Sequence, residues 1–274
     1  MDLKFTYSNF IYLDTNIISE LVKGKIYCPS FYDFLIKNDL CIAISDAHFA
    51  ELYDFKYSHE ELARFLLLMP SAMIKTRDEI IEEETKSHPN RRTKSLLVIP
   101  INQLILEEDG FDKLMGFFSS NKLRDARKGQ KLSAKKMLGV HKKLKPNFPP
   151  SKSGKYTKNQ SSEFADYITM QWLGMTHRQF LKQFNNNIKG LNLEIFLPLR
   201  TYAYVIFYKY YLQNREPSKL SDFGDLFHVS YIPYCKLAII ERDLCNVLNQ
   251  IKRNSNILNN VKIENIDFFK TCKY

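Results

Sequence analysis

The hydrophobic pattern is clearest near the start of the chain, where residues 10–13 are four consecutive large apolar residues. An unbroken run of this kind is typical of a strand buried on both faces, as in a parallel sheet covered by helices. Apolar residues then recur at helical spacing over residues 17–22, and Gly24 supplies a helix stop. The pattern therefore predicts a central strand, a turn at Asp14 and a helix.

Further apolar runs predict strands at residues 40–44, 236–243 and 261–266. Helical spacing predicts helices over residues 31–37, 60–68, 78–86 and 244–251, and another that begins at Ser45 or Asp46 and carries Glu51. We therefore expect an α/β fold in which a central parallel sheet is flanked by helices in a three-layer, Rossmann-type arrangement.

The middle of the chain differs in character, because residues 89–216 are rich in polar and basic runs and in helical patterns. Pro146, Pro149, Pro150 and Gly154 indicate a loop within this part. We predict that residues 1–88 and 217–274 form the α/β core. Residues 89–216 are then a mostly helical insertion with a basic loop at 122–158.

Composition narrows the class of protein. The chain has 274 residues, of which 45% are hydrophobic, so it can bury a substantial core. The first ten residues lack the apolar stretch of a signal peptide, and the most apolar long segment, 193–212, is interrupted by charges. The five cysteines have no C-x-x-C spacing, which favours free thiols over a disulfide framework or a zinc site. We expect a cytoplasmic protein that does not enter a membrane.

Positive charge is concentrated in one stretch. Residues 122–158 contain thirteen Lys and Arg and one acid, Asp125, whereas the whole chain carries +10. Such a block on a near-neutral body is the electrostatic pattern of a nucleic-acid-binding protein, although a solvated loop is the alternative. Phe148 and Tyr156 lie near the block and could stack on bases, but isolated aromatic residues more often pack in a core. The predicted phosphate contacts are Lys122, Arg124, Arg127, Lys128, Lys131, Lys135, Lys136, Lys142, Lys143 and Lys145.

Acidic residues follow or flank the predicted strands, at Asp14, Glu51, Asp225 and Asp243. The ends of parallel strands meet at one edge of a sheet, so these acids can form a single cluster. Clustered carboxylates repel unless a cation is bound, and hard oxygen ligands favour Mg²⁺ or Mn²⁺. Each acid taken alone is more often a helix cap or a turn residue.

Taken together, these residues resemble the PIN-domain nucleases. The similarity lies in the order Leu13-Asp14-Thr15-Asn16, the helical Glu51, and the C-terminal series from Asp225 to Asp243. It covers about residues 8–70 and 217–270. The resemblance implies a PIN-like fold in which Asp14, Glu51, Asp225 and Asp243 are catalytic and hold Mg²⁺ or Mn²⁺, with Thr15 and Asn16 supporting them.

The sequence departs from the family pattern in one respect, because Glu241 stands where Thr or Ser is usual. Glu241 is therefore an additional candidate ligand, unless the local hydrogen bonding differs. Asp222 lies three residues before Asp225 and could serve instead of it or beside it. His228 could hydrogen-bond a ligand carboxylate or a phosphate, although a core histidine is the commoner case.

The resemblance implies a metal-dependent endoribonuclease that hydrolyses single-stranded RNA. Stand-alone proteins of this kind act as toxins or phage-defence effectors, which implies an inhibitory partner protein; a homodimer is left open. Two alternatives remain: a structure-specific DNA nuclease, and a PIN-like scaffold that binds RNA without cutting it.

Overall fold

The computed structural model describes residues 9–26, 28–52, 59–90, 96–150, 156–184, 190–213, 215, 223 and 225–271, with the backbone alone at residues 28, 29, 52, 97 and 225. Six strands form one sheet in the order β4-β3-β2-β1-β5-β6, and all neighbours are parallel except β3 and β4. The strands are β1 (Asn9–Leu13), β2 (Leu40–Ile44), β3 (Ser71–Ile74), β4 (Leu97–Pro100), β5 (Leu237–Ile240) and β6 (Lys262–Asn265).

Helices connect and cover these strands. They are α1 (Thr15–Val22), α2 (Cys28–Lys37), α3 (Asp46–Leu52), α4 (His59–Leu68), α5 (Arg77–Ser87), α6 (Gly110–Phe118), α7 (Asn121–Leu144), α8 (Lys158–Thr176), α9 (Arg178–Lys182), α10 (Leu197–Ile206), α11 (Arg242–Asn254) and α12 (Phe268–Thr271). A π-helical turn, Phe207–Leu212, continues α10, and a 3₁₀ segment, Asp225–Ser230, precedes β5.

The two faces of the sheet are buried in separate apolar layers. Because side chains alternate along a strand, Tyr12 and Ala43 face the layer that contains α8, α10 and α11, whereas Ile11 and Ile42 face the layer that contains α1, α2 and α4. The predicted three-layer α/β fold with a mostly parallel sheet is therefore confirmed, and β1 lies inside the sheet between β2 and β5.

The predicted basic loop is wrong over most of its length, because α7 is a continuous helix of 24 residues. Its buried residues, Leu123, Ala134, Met137 and His141, recur at helical spacing and form a narrow apolar stripe. The many lysines around that stripe lower the mean hydropathy, so the stretch resembles a loop in composition although its periodicity is helical.

Two strands were not predicted. β3 is a short Ser-Ala-Met-Ile segment directly after Pro70, and β4 is an edge strand in which Val98 and Ile99 remain exposed. The predicted strand at 236–243 ends at Ile240, so Asp243 lies in the first turn of α11 and not at the strand end. Glu241 takes the position that caps this helix.

Cys41, Cys235 and Cys245 are buried free thiols. Within the ranges given above, no helix combines the length and the apolar character needed to span a bilayer.

Candidate active site at the carboxyl edge of the sheet

Asp14 is fixed at the point where β1 ends and α1 begins. Its backbone N–H donates to the carbonyl of Ile239 on β5 at 3.0 Å, which holds the turn against the neighbouring strand. Its Oδ1 accepts a hydrogen bond from the backbone N–H of Asn16 at 3.1 Å and caps the helix. Asn16 therefore supports Asp14 through its backbone, and capping leaves the other carboxylate oxygen of Asp14 for a further role.

Glu241 and Asp243 follow β5, the strand beside Asp14. Partial burial raises the pKa of Glu241, and the negative charges of Asp14 and Asp243 raise it further, while Lys209 opposes them. Asp14 and Asp243 therefore each repel the charged form of Glu241. The prediction that Asp14, Glu51, Asp225 and Asp243 form one cluster stays a prediction.

Asp243 is paired with two cationic side chains. Its carboxylate accepts two hydrogen bonds from Arg215, at 2.8 and 2.9 Å, and Nζ of Lys209 lies 3.5 Å from Oδ2. Partial burial raises the pKa of Asp243, but Arg215 and Lys209 outweigh it, and the pKa lies below its usual range. Asp243 is thus an ion-pair partner in this structure, which sequence reasoning did not foresee.

Glu51 is held by His228 on the other side of β1. Oε1 of Glu51 lies 2.9 Å from Nε2 of His228. Burial raises the pKa of Glu51, but the charge of His228 and its hydrogen bond dominate, with help from Thr15, and lower the pKa to about 2. Glu51 is therefore ionised, and His228 and Thr15 both act on it.

A buried polar network stands behind this pair. Nδ1 of His228 lies 2.7 Å from the Tyr12 hydroxyl, which lies 3.0 Å from Oγ of Ser45. His48 completes the network, because its Nδ1 accepts from the backbone N–H of Ser45 at 3.0 Å and its Nε2 donates to the carbonyl of Leu13 at 2.6 Å. This geometry assigns the neutral Nε2–H tautomer to His48, and burial lowers its pKa to about 3.

The remaining predicted ligands lie at the limits of the described chain. Asp225 opens the 3₁₀ segment that also carries His228, so its backbone is one turn from the Glu51 contact, while its side chain lies outside the description. Asp222 lies outside the described residues altogether. Among the side chains that are described, no three His, Cys, Asp or Glu residues are arranged to hold a metal ion.

The basic helix α7 packs against α3, the helix that carries Glu51. Of the ten predicted phosphate contacts, Arg127 and Lys145 are half-buried and the others are exposed. The helix is about 36 Å long at 1.5 Å per residue, so it presents an extended basic surface beside the site.

Phe148 and Tyr156 are not available for stacking on bases. Phe148 packs edge-on against Phe164, and Tyr156 packs against Phe207 while its hydroxyl donates to the carbonyl of Phe148 at 2.9 Å. Both rings are therefore partly buried and pack against the core.

No family model matches the chain, and comparisons with curated proteins and with solved structures return no significant match.

Burial of neutral His48 predicts a specific loss of stability in acid. Its folded pKa of about 3 lies below the ordinary value of 6.5, so the unfolded chain binds a proton in this window that the folded chain does not. The free energy of unfolding should fall as pH drops from 6.5 toward 3, by about 1.4 kcal/mol per pH unit from this group.

Urea denaturation at pH 7, 6 and 5 measures this slope. His48→Gln should be less stable than the wild type at pH 7 but show a shallower decline, whereas His177→Gln, at a half-exposed position, should keep the wild-type slope. An unchanged slope in His48→Gln would contradict the assignment.

Proposed function

We propose that this chain is a PIN-like, metal-dependent endoribonuclease that hydrolyses phosphodiester bonds of single-stranded RNA. The observation that carries the proposal is that Asp14 follows β1 while Glu241 and Asp243 follow the paired strand β5, and that the charges of Asp14 and Asp243 add to burial in raising the pKa of Glu241. A cation bound beside such carboxylates stabilises their charged forms, because it offsets their mutual repulsion.

The donor set suits Mg²⁺ or Mn²⁺. Asp14 and Glu241 provide hard oxygen ligands. Burial raises the pKa of Glu241, and the negative charges of Asp14 and Asp243 raise it further against the opposing charge of Lys209. Asp243 can become a further ligand if its ion pairs with Arg215 and Lys209 break. Glu51 lies beside His228 on α3, the helix that follows β2. A divalent ion held by these residues would supply water activation and would neutralise charge on the phosphoryl oxygens.

The chain's own residues account for substrate binding. Arg215 and Lys209 stand beside Asp243 and are donors of the kind that bind phosphate, Arg215 through its bidentate fork. Exposed lysines of α7 extend this positive surface along the neighbouring helix. Contacts of this kind bind the RNA backbone and carry no sequence information.

The resemblance to PIN-domain nucleases also supports a role as a toxin or phage-defence effector. In that role a partner protein restrains the nuclease by covering the site.

Loss of metal or of a ligand should abolish cleavage. We expect the purified chain to cut a labelled single-stranded RNA with Mg²⁺ or Mn²⁺ and to be inactive in EDTA. Asp14→Asn and Glu241→Gln should each lower the rate by about 100-fold or more, because both remove charge from the proposed metal ligands. Glu60→Gln, on the exposed face of α4, is the matched control and should retain wild-type activity.

Undiminished cleavage in EDTA or in Asp14→Asn would refute the proposal. The same assay on matched single-stranded DNA and flap DNA separates the RNA substrate from the DNA alternative.

A non-catalytic RNA-binding scaffold is the second candidate. It is favoured by one observation, that Asp243 and Glu51 are already engaged by Arg215, Lys209 and His228. Isothermal titration with Mn²⁺ discriminates the two: a nuclease should bind the ion and lose that binding in Asp14→Asn, whereas a scaffold should give no heat that this variant removes.

The basic surface of α7 should set the salt dependence of RNA binding. Replacing Lys135, Lys136 and Lys142 by Gln should weaken binding and reduce the slope of log affinity against log salt by about 2, since each single-strand phosphate contact contributes about 0.7. A control with the same charge change, Lys25, Lys37 and Lys86 to Gln, removes exposed lysines elsewhere and should leave the slope nearly unchanged. Equal effects of the two triple variants would rule out α7 as the binding surface.

A further inference from the structure

A cavity of about 210 Å³ with a mixed polar and apolar lining lies between α3 and α7, apart from the carboxylates of the candidate site. Its helical walls are made of small residues, Ala47 and Ala50 on α3 and Gly129 and Ser133 on α7. The volume is below the roughly 300–1,000 Å³ of sites for drug-sized ligands, so it suits one planar ring system and not a whole cofactor.

Arg77 supplies the donors of this cavity. Its guanidinium carbon lies 4.3 Å from the ring centre of Trp172 and 4.6 Å from that of Phe227, so the two rings hold the group in place. Nε is buried and, within the described chain, donates no hydrogen bond; Oδ1 of Asp78 lies 3.7 Å away. Such a fixed and under-used donor group is ready for a ligand acceptor.

Asp46 supplies the acceptors. It begins α3, lines the same cavity and accepts a hydrogen bond from the Tyr231 hydroxyl, which in turn accepts from the backbone N–H of Arg77 at 3.0 Å. This chain of contacts links the carboxyl group of Asp46 to the backbone of Arg77. The cavity is thus lined by both a guanidinium donor and a carboxyl group.

We infer that this cavity is a subsite for a guanine base of the RNA. Guanine presents two adjacent acceptors, O6 and N7, which an arginine binds as a fork, and two adjacent donors, N1–H and N2–H, which a carboxylate accepts. Adenine, cytosine and uracil do not offer both pairs. The inference rests on the proposed function in taking α7 as the surface along which RNA lies.

The position of the cavity connects it to the candidate site. Asp46 and Glu51 lie on the same helix five residues apart, which is about 7.5 Å along its axis. Lys128 and Lys131, which are close to Gly129 in the sequence of α7, are exposed. A strand bound along α7 can therefore place one base between the helices and its backbone toward the carboxylates, which gives the nuclease a base preference.

The single tryptophan of the chain, Trp172, reports on this cavity because Arg77 stacks on it. Titration of the wild-type chain with GMP should change its fluorescence in a saturable way, and AMP, CMP and UMP should bind about tenfold more weakly or worse. Gly129→Leu should abolish the response, because Gly129 lines the cavity and its Cβ would meet no atom within 4 Å, so the leucine side chain can occupy space that the base needs. Arg77→Lys should weaken GMP at least tenfold, since it keeps the charge and loses the fork.

Gly139→Leu is the matched control, with the same substitution on the same helix at another position with open space around the Cβ, outside the cavity lining. It should bind GMP as the wild type does, and circular dichroism of all variants checks the fold. Equal binding of the four nucleotides, an equal response to inorganic phosphate alone, or undiminished GMP binding by Gly129→Leu would each overturn the inference. A response to N-acetylarginine amide with none to GMP would assign the cavity to a protein partner and also overturn it.

These titrations measure no cleavage, so the two proposals fail separately. An inactive chain that binds GMP with this pattern keeps the guanine subsite and loses the nuclease. A chain that cuts RNA but does not respond to GMP keeps the nuclease and loses the subsite.

Discussion

Burial of β1 on both faces, between two parallel neighbours, determines where the candidate residues lie. The C-terminal end of β1 lies at the carboxyl edge of the sheet. The hydrogen bond from the Asp14 N–H to the Ile239 carbonyl fixes that end against β5. His48, which donates to the Leu13 carbonyl, fixes the same end from the β2 side. The turn at Asp14 is therefore held by both neighbouring strands, and the acids that follow β1, β2 and β5 must share one edge.

The carboxylates at that edge differ in how much positive charge lies beside them. Burial raises the pKa of Glu241, and Asp14 and Asp243 raise it further, whereas Asp243 itself is paired with Arg215 and Lys209. A divalent cation of the kind proposed would compete with Arg215 and Lys209 for Asp243, so binding of one would weaken the contacts of the others. The displaced side chains would then remain close to the phosphate of the proposed substrate.

The sequence predicts the secondary-structure elements whose pattern is set by neighbouring residues along the chain. The strands β1, β2 and β5 were foreseen because burial on both faces leaves an unbroken apolar run. The apolar stripe of α7 is narrow, so its composition indicates a loop although it is helical. β3 and β4 have only four residues each, too few for their hydrophobic periodicity to indicate a strand. The contact between Tyr12 and His228 joins residues 216 positions apart, so only the fold brings them together. The same is true of Arg215, which no local pattern links to Asp243.

The two edges of the sheet end in different ways. At one edge the four-residue β4 closes with Pro100, which lacks an N–H to donate, and at the other β6 carries the neighbouring charges of Lys262 and Glu264, 3.2 Å apart. A short strand with a terminal proline and a strand with charged side chains are both poor templates for a further strand. Both features make the addition of a further strand at these edges less favourable, although Val98 and Ile99 remain exposed on β4.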